Sequence, residues 1–177
     1  PWPAEPLLAR GNVVLLHSLT KAEALAGLRL GYLVGPQEVV DSLRAVQAPW
    51  SVNAAAQAAG LAALADSPHR QETLAAIAAQ KEALAEALRA LGLSVVPSAT
   101  NYFLVEVGDA PAWKDALLRR WILVRDCSSF GLPGYLRLAA RRPEECERLL
   151  AAVRELLASG ELPAPAERPR AEGGSDG

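Results

Sequence analysis

Several residue types are scarce in this chain, and each shortage excludes a class of protein. The 177 residues include two cysteines, Cys127 and Cys146, which are not spaced as Cys-x-x-Cys. Two such thiols cannot build a disulfide framework. The two histidines, His17 and His69, have no partner pattern for a metal site or a catalytic triad. We therefore expect a protein of the reducing cytoplasm that holds no metal.

The chain also lacks a large excess of either charge and any long apolar run. The formal net charge is −2, so no positive field would attract nucleic acid or an anionic membrane. The most apolar stretch, residues 54–65, is too short to span a bilayer, and the N-terminus lacks the basic-then-apolar pattern of a signal peptide. Neither nucleic acid nor a membrane is an expected partner.

Methionine is absent, and the chain starts at Pro1 before an apolar strand that has no earlier element to pair with. We interpret the chain as a fragment of a longer protein. Its composition, with 51% hydrophobic and 21% charged residues, is that of an ordinary globular protein with one or two modest cores.

The first part of the chain has the pattern of an α/β protein. Continuous apolar runs at residues 13–17 and 29–35 predict buried strands of a parallel sheet. The spacing of apolar residues predicts a helix over residues 36–46, a second helix that Asn53 starts, and a long helix over about residues 69–91.

After Gly92 the pattern changes to short strands and helices in the order β-β-α-β-β-α, which describes a small α+β domain. These predicted elements cover residues 93–96, 102–107, 112–120, 122–125, 135–139 and 143–158. Beyond residue 159 the Pro- and Gly-rich sequence cannot build a core and predicts a disordered tail. We therefore predict three parts, residues 1–80, 81–159 and 160–177.

Of the three lysines, Lys21 is the candidate for chemistry. Lys81 and Lys114 lie in predicted helices among other charged residues, where a solvated role is expected. Lys21 instead follows a predicted buried strand, and the loop that leaves the C-terminal end of such a strand is a usual place for a ligand.

Hydrogen-bond donors surround Lys21 in the sequence. Ser18 and Thr20 offer hydroxyls, and Arg29 offers a guanidinium a few residues later. Such a cluster can bind a phosphate while the lysine amine attacks an aldehyde. A capped loop with a surface lysine would have the same spacing, so the residues alone leave both interpretations open.

The segment Ser18-Leu-Thr-Lys21, followed by Ala26-Gly-Leu-Arg-Leu-Gly-Tyr32, resembles the cofactor-lysine signature of the histidinol-phosphate aminotransferase family. The resemblance implies a pyridoxal 5'-phosphate enzyme with the fold-type-I, aspartate aminotransferase-like α/β fold. In this chain it would comprise the C-terminal portion of the large domain and the small α+β domain. It also implies that Lys21 carries the cofactor and that Ser18, Thr20 and Arg29 bind the cofactor phosphate.

Two other stretches resemble the threonine-phosphate decarboxylases of cobalamin synthesis. These are Ala48-Pro-Trp-Ser-Val-Asn53 and Val124-Arg-Asp-Cys-Ser-Ser-Phe130. This resemblance implies conversion of L-threonine O-3-phosphate to (R)-1-amino-2-propanol O-2-phosphate and carbon dioxide. Histidinol-phosphate aminotransferase, or a related class I/II aminotransferase, is the alternative enzyme. A non-catalytic remnant or interaction module is the alternative outside enzymes.

The same resemblance implies substrate-binding residues. Arg137 matches the small-domain arginine that grips the substrate α-carboxylate, for which a planar guanidinium is suited. An exposed strand arginine that pairs with an acidic neighbour is the alternative. Arg125 and, likewise, Arg141 are candidates for a substrate phosphate. Asn53, with Trp50, could line the mouth of the pocket, or this tryptophan could be a packing anchor.

The chain departs from the resemblance in two ways. Glu23 occupies a position where relatives commonly have an aromatic residue. The resemblance also covers residues 10–158 but only the second half of the family's length. The first half would supply the aspartate that keeps the cofactor ring an electron sink. We therefore expect that the chain alone is inactive and binds the cofactor weakly, and that the complete enzyme is a homodimer.

Overall fold

The computed structural model describes residues 4–21 and 23–162, which form two compact units. Unit 1 contains the described residues up to Ala75, and unit 2 contains those from Ala76 onward. The division lies within a long helix, Ser67–Ala90. The predicted boundary at residues 80 and 81 stays a prediction.

Unit 1 contains a strand pair that differs from the predicted one. Strand β1 (Leu15–Ser18) pairs antiparallel with β2 (Gly31–Val34). The expected buried strands of a parallel sheet are therefore wrong for the described residues, and Leu16 is 80% exposed. The reason is that residues 19–30 reverse the chain directly, so the two strands meet as neighbours.

The helices of unit 1 follow the sequence pattern closely. They are α1 (Gln37–Val46), α2 (Ala54–Ala65) and the first part of α3 (Ser67–Ala90), which continues into unit 2. Asn53 caps α2, because its side-chain oxygen accepts a hydrogen bond from the Ala56 N–H at 2.8 Å. The third helix begins two residues earlier than predicted, since Asp66 accepts a hydrogen bond from the His69 N–H and Pro68 is tolerated in a first turn.

Unit 2 contains a four-stranded antiparallel sheet with the order β3-β4-β6-β5 and two further helices. Its new elements are β3 (Ser94–Val96), β4 (Tyr102–Glu106), α4 (Ala110–Leu118), β5 (Arg125–Asp126), β6 (Tyr135–Ala139) and α5 (Pro143–Ser159). The predicted order β-β-α-β-β-α is confirmed.

One face of this sheet forms the core of unit 2. Phe103 and Val105 of β4, with Leu136 and Leu138 of β6, are buried in one cluster with residues of α3, α4 and α5. Because successive side chains of a strand point to opposite faces, Tyr102 and Arg137 belong to the other face. The strand alternation thus places the candidate substrate arginine outside the core.

Strand β5 is shorter than predicted because the preceding residues end helix α4. The Ile122 N–H donates to the Leu117 carbonyl, and Trp121 has a left-handed φ of 59°. Arg148 of α5 donates to the carbonyls of Arg120 and Trp121 at 3.0 and 3.2 Å. These contacts fix residues 120–122 as a helix terminus, so pairing with β6 starts only at Arg125.

The predicted tail starts too early. Gly160 ends α5 in the left-handed conformation, and the Glu161 carboxylate accepts hydrogen bonds from Arg119 at 2.6 Å and Arg120 at 3.3 Å. Leu162 packs against the core. Residues 160–162 are therefore part of unit 2, and the rest of the predicted tail, residues 163–177, lies outside the described residues.

None of the helices described is both long enough and apolar enough to cross a membrane.

Candidate functional site

Lys21 lies in a tight turn that follows β1. The turn is closed by two backbone hydrogen bonds, from the Ala24 N–H to the Lys21 carbonyl at 3.1 Å and from the Leu25 N–H to the Leu19 carbonyl at 3.2 Å. Leu19 is buried, whereas Lys21 is exposed. The backbone of this turn is thus anchored at Leu19, while the lysine side chain lies at the surface of unit 1.

The candidate phosphate-binding residues lie at the same end of the strand pair. Ser18 pairs with Gly31, and the Leu19 N–H donates to the Leu30 carbonyl at 3.1 Å. The next residues along the two segments are Thr20 and Arg29. The antiparallel pairing therefore brings together the residues on both sides of the lysine turn.

The two hydroxyls form a local hydrogen-bonded pair. Ser18 Oγ and Thr20 Oγ1 are 2.7 Å apart, and the Thr20 N–H donates to Ser18 Oγ at 3.3 Å. Arg29 has a left-handed φ of 54°, and its guanidinium donates to the Ala26 carbonyl at 3.1 Å. A non-glycine residue in this conformation costs free energy, and such residues cluster at functional sites.

A side chain in place of glycine would meet close neighbours at two positions around this end of unit 1. A Cβ added to Gly31 would lie 2.6 Å from the His17 carbonyl oxygen. A Cβ added to Gly60 of α2 would lie 2.4 Å from Cδ2 of Leu30 and 3.7 Å from Cδ1 of Leu19. Helix α2 therefore packs directly against the residues that flank the lysine turn.

Glu23, which departs from the aromatic residue of the resemblance, has a charged partner. Its side chain is 8% exposed, and Oε1 lies 3.0 Å from Nε of Arg70, whose side chain is 52% exposed. The position beside the lysine is therefore occupied by an ion-paired carboxylate. The sequence did not indicate Arg70, because a contact so distant along the chain leaves no local pattern.

The candidate substrate arginines lie opposite each other in unit 2. Arg125 of β5 is the register partner of Arg137 of β6. The Arg137 guanidinium lies 5.1 Å from the centre of the Tyr102 ring, and that of Arg125 lies 5.1 Å from the centre of the Phe130 ring. Arg125 also donates to Ser129 Oγ at 3.1 Å. Like charges directly opposite in a sheet are unfavourable, and a bound anion would offset this repulsion.

These two arginines line a cavity of about 900 Å³ in unit 2, a size within the usual range for ligand sites. Five cationic side chains and two carboxylates are among its lining residues, which leaves a surplus of positive charge. The charged lining residues are Lys114, Arg125, Arg137, Arg141 and Arg148, with Asp126 and Glu145. Such a lining favours an anionic ligand.

Hydrogen bonds keep one of the two carboxylates in its charged form. The Ser128 hydroxyl and N–H donate to Asp126 at 2.6 and 2.8 Å and lower the pKa of its carboxyl. Asp126 is therefore already satisfied by its own turn. Among the cationic side chains of this lining, Lys114 and Arg148 were not predicted as site residues, because helical spacing does not show which side chains reach a cavity.

Asn53 and Lys81 have structural partners, whereas Trp50 is exposed. Asn53 uses its side-chain oxygen to cap α2, and its role towards substrate stays a prediction. Trp50 is 97% exposed, so it is not a packing anchor among the described residues. Lys81 is half-buried, and its Nζ donates to the carbonyls of Ser98 and Thr100 at 2.6 and 2.9 Å, so it has structural partners in addition to solvent.

Comparison with known proteins gives a consistent family. Residues 2–153 match the family described as aminotransferase class I and II. The histidinol-phosphate aminotransferase of Nitratidesulfovibrio vulgaris (strain DP4) is 43% identical over 147 residues, which cover 82% of this chain and 39% of that protein. The chain therefore spans about two fifths of the length of such curated relatives.

Solved structures agree with this family. Histidinol-phosphate aminotransferase from Sinorhizobium meliloti, in complex with pyridoxal-5'-phosphate, has a TM-score of 0.73 at 26% identity and covers 89% of this chain and 44% of its own. L-threonine-O-3-phosphate decarboxylase from Porphyromonas gingivalis has a TM-score of 0.71 at 30% identity. The match covers 84% of this chain and 47% of the decarboxylase. Solved aspartate aminotransferases share the fold of this chain, which confirms the expected fold type I. The chain belongs to the aminotransferase class I and II family.

Proposed function

We propose that this chain supplies the cofactor lysine and the substrate-anion site of a pyridoxal 5'-phosphate enzyme that acts on a phosphorylated amino compound. The observation that carries the proposal is the placement of Lys21 in a turn at the end of the strand pair that also carries Arg29 and the hydrogen-bonded hydroxyls of Ser18 and Thr20. The family match and the pyridoxal-5'-phosphate in a solved relative support the choice of cofactor.

The donor set of unit 1 fits this cofactor. Phosphate oxygens accept hydrogen bonds, and the hydroxyl pair of Ser18 and Thr20 and the guanidinium of Arg29 offer donors on both sides of the turn. The primary amine of Lys21 can condense with an aldehyde. When bound, pyridoxal phosphate supplies an electron sink that stabilises negative charge at the substrate α-carbon.

Lys21 would have a second role whenever its amine is not bonded to the cofactor. Its free Nζ can then accept a proton or return it at the substrate α-carbon. The exposed position of Lys21 in this chain allows the side chain to swing between these two tasks. A residue that cannot bind a proton, such as alanine, would lose both.

Decarboxylation of L-threonine O-3-phosphate for cobalamin assembly is the specific reaction that we propose. This substrate carries an α-carboxylate and a phosphate, and Arg125 and Arg137, which are register partners in β5 and β6, offer two guanidinium groups that line one cavity. Arg137 would hold the carboxylate bidentately and so fix which bond of the α-carbon is cleaved, while Arg125 would bind the phosphate. The similarity to the Porphyromonas gingivalis decarboxylase supports this reaction.

Amino transfer from histidinol phosphate is the second candidate. The names of curated relatives at 43% and 44% identity favour it. Histidinol phosphate has a phosphate but no carboxylate, so in this case Arg137 would serve the carboxylate of the amino-acid partner or share the phosphate with Arg125. Lys21 would then move the proton between the α-carbon and the cofactor.

Two assays separate these reactions. The chain is tested alone and joined in frame to its upstream coding sequence, because it spans about two fifths of its relatives' length. Release of carbon dioxide from L-threonine O-3-phosphate without a keto acid would support decarboxylation, whereas glutamate-dependent amino transfer would support the second candidate. Lys21→Ala should abolish either activity. If the joined protein shows neither activity, the proposal of an enzyme is wrong and a non-catalytic remnant or interaction module replaces it.

A further inference from the structure

The turn that carries Lys21 has an ion pair on one flank that the cofactor chemistry does not require. Glu23 follows Lys21 by two residues, and its side chain is 8% exposed. Its Oε1 lies 3.0 Å from Nε of Arg70 in α3. Removing a carboxylate from water is costly unless a partner compensates it. Arg70 is thus what allows Glu23 to lie inward rather than in solvent.

The other flank of the turn is held by apolar packing. Leu19 is buried, and both Leu19 and Leu30 lie close to the position that a side chain on Gly60 would fill. The Leu19 N–H and carbonyl are also hydrogen-bonded, to Leu30 and Leu25. The start of the turn is therefore fixed to α2 without help from Glu23.

The middle of the turn is the strained part. Ala24 has a φ of 53°, which a non-glycine residue adopts only when its surroundings impose it. Its neighbours are Glu23, held by Arg70, and Leu25, whose N–H donates to the Leu19 carbonyl. With Arg70 removed, the turn would keep the backbone hydrogen bonds of Ala24 and Leu25 and would lose the side-chain restraint at Glu23.

We infer that Arg70 is a positioning residue: through Glu23 it holds the turn so that Lys21 stays aligned with the donors Ser18, Thr20 and Arg29. This inference rests on the proposed function, in which those donors bind the phosphate of the compound whose aldehyde reacts with Lys21. Arg70 itself contacts neither group. It acts only by fixing the distance between the amine and the phosphate-binding donors.

The experiment compares two aldehydes that differ only in the phosphate. The chain is incubated with pyridoxal 5'-phosphate or with pyridoxal, and borohydride is added. The lysine amine condenses with the aldehyde and releases one water, and hydride from borohydride then reduces the C=N bond, so that mass spectrometry can locate the label. The measured quantity is the preference of Lys21 for the phosphorylated aldehyde, with Lys81 and Lys114 as internal references.

For the unchanged chain we expect Lys21 to prefer the phosphorylated aldehyde by about tenfold, because charge-assisted hydrogen bonds hold the phosphate. In Arg70→Ala and Glu23→Gln the preference should fall to about twofold or less, while labelling by pyridoxal stays the same. The charge-swapped double variant E23R/R70E should restore most of the preference. Arg44→Ala is the matched control, since Arg44 pairs with Asp41 on the exposed surface of α1.

The possible failures are distinguishable. If the unchanged chain shows no preference at Lys21, then Ser18, Thr20 and Arg29 do not hold the phosphate in this chain and the inference is wrong, whereas the proposed function is decided separately by the activity assays on the joined protein. If the unchanged chain shows the preference but R70A and E23Q retain it, the positioning role alone is wrong. A general loss of folding is detected by circular dichroism, and recovery of both folding and preference in E23R/R70E would still support the inference. Recovery of folding without the preference would contradict it.

Discussion

The two units of this chain differ in how much of their apolar surface they bury. The described residues of unit 2 include a continuous core with Trp113, Leu88 and Leu156 fully buried. In the described residues of unit 1, the buried apolar side chains are Leu19 and Ala56. Burial of apolar area is the main stabilising contribution to folding, so unit 2 should be the more stable of the two. The proposed cofactor lysine, Lys21, thus lies in the less stable unit, and the candidate substrate arginines, Arg125 and Arg137, lie in the more stable one.

The largest expected effect tests this difference with two matched substitutions. Leu88→Ala removes a fully buried side chain of unit 2 and should lower the free energy of unfolding by about 2–5 kcal/mol. Leu16→Ala removes an exposed side chain of β1 and should change it by about 0.5 kcal/mol or less. Urea denaturation followed by circular dichroism measures both. Equal losses would contradict the contrast between the units.

A second substitution sharpens the comparison inside unit 1. Gly60→Val should destabilise the lysine turn by about 1–3 kcal/mol, because its side chain would overlap Leu30. Amide hydrogen exchange at Leu19 and Leu25, whose N–H groups donate to the Leu30 and Leu19 carbonyls, should accelerate. Gly27→Val is the control, since a Cβ at Gly27 meets no atom within 4 Å. Unchanged exchange in G60V would show that α2 does not support this turn.

The arginines of unit 2 should show their role in ligand binding rather than in stability. Arg137→Ala should weaken binding of L-threonine O-3-phosphate by about tenfold, since one charge-assisted bidentate contact is lost. Tyr102→Phe keeps the ring under Arg137 and should have little effect, whereas Tyr102→Leu should weaken binding about twofold. Chemical-shift titration of the chain measures these affinities. Arg137→Ala with unchanged affinity would exclude this arginine from the site.

The smallest expected effect concerns pH. The Arg141 guanidinium and the Arg142 N–H, which both donate to Glu145, hold the pKa of this carboxyl below its ordinary range. A carboxyl whose pKa is lowered by folding stabilises the fold above its unfolded pKa of about 4.3, and this stabilisation is lost as pH falls through the folded value. Glu145→Gln should therefore flatten the decline in melting temperature below that pH. Glu144→Gln, at the neighbouring exposed position, should leave the slope of melting temperature against pH unchanged.

Local patterns allowed most helices and the strands of unit 2 to be predicted. The amphipathic spacing of α1, the cap residue Asn53 and the alternation of β6 depend on neighbours in sequence, so the prediction and the structure agree closely there. Strand β5 was misplaced because its boundary depends on Arg148, which contacts residues 120 and 121 from another helix. Such a contact has no signature in the segment it affects.

The candidate site was predictable only in part for the same reason. Ser18, Thr20 and Arg29 are close to Lys21 in sequence, and the structure brings them to one end of a strand pair. The antiparallel direction of that pair was not predicted, because an apolar run does not state the direction of its partner. Likewise, Arg125 and Arg137 could be identified singly, but their position opposite each other depends on the register of β5 and β6.

The hydroxyl pair beside Lys21 has a consequence for how a phosphate would be held. Because Ser18 Oγ and Thr20 Oγ1 are already hydrogen-bonded, one of the two protons is used within the pair and one remains to point outward. The accepting hydroxyl is polarised by its neighbour and becomes a stronger donor to an anion. The pair therefore acts as a single reinforced donor, and its order is established when the chain folds rather than when a ligand arrives.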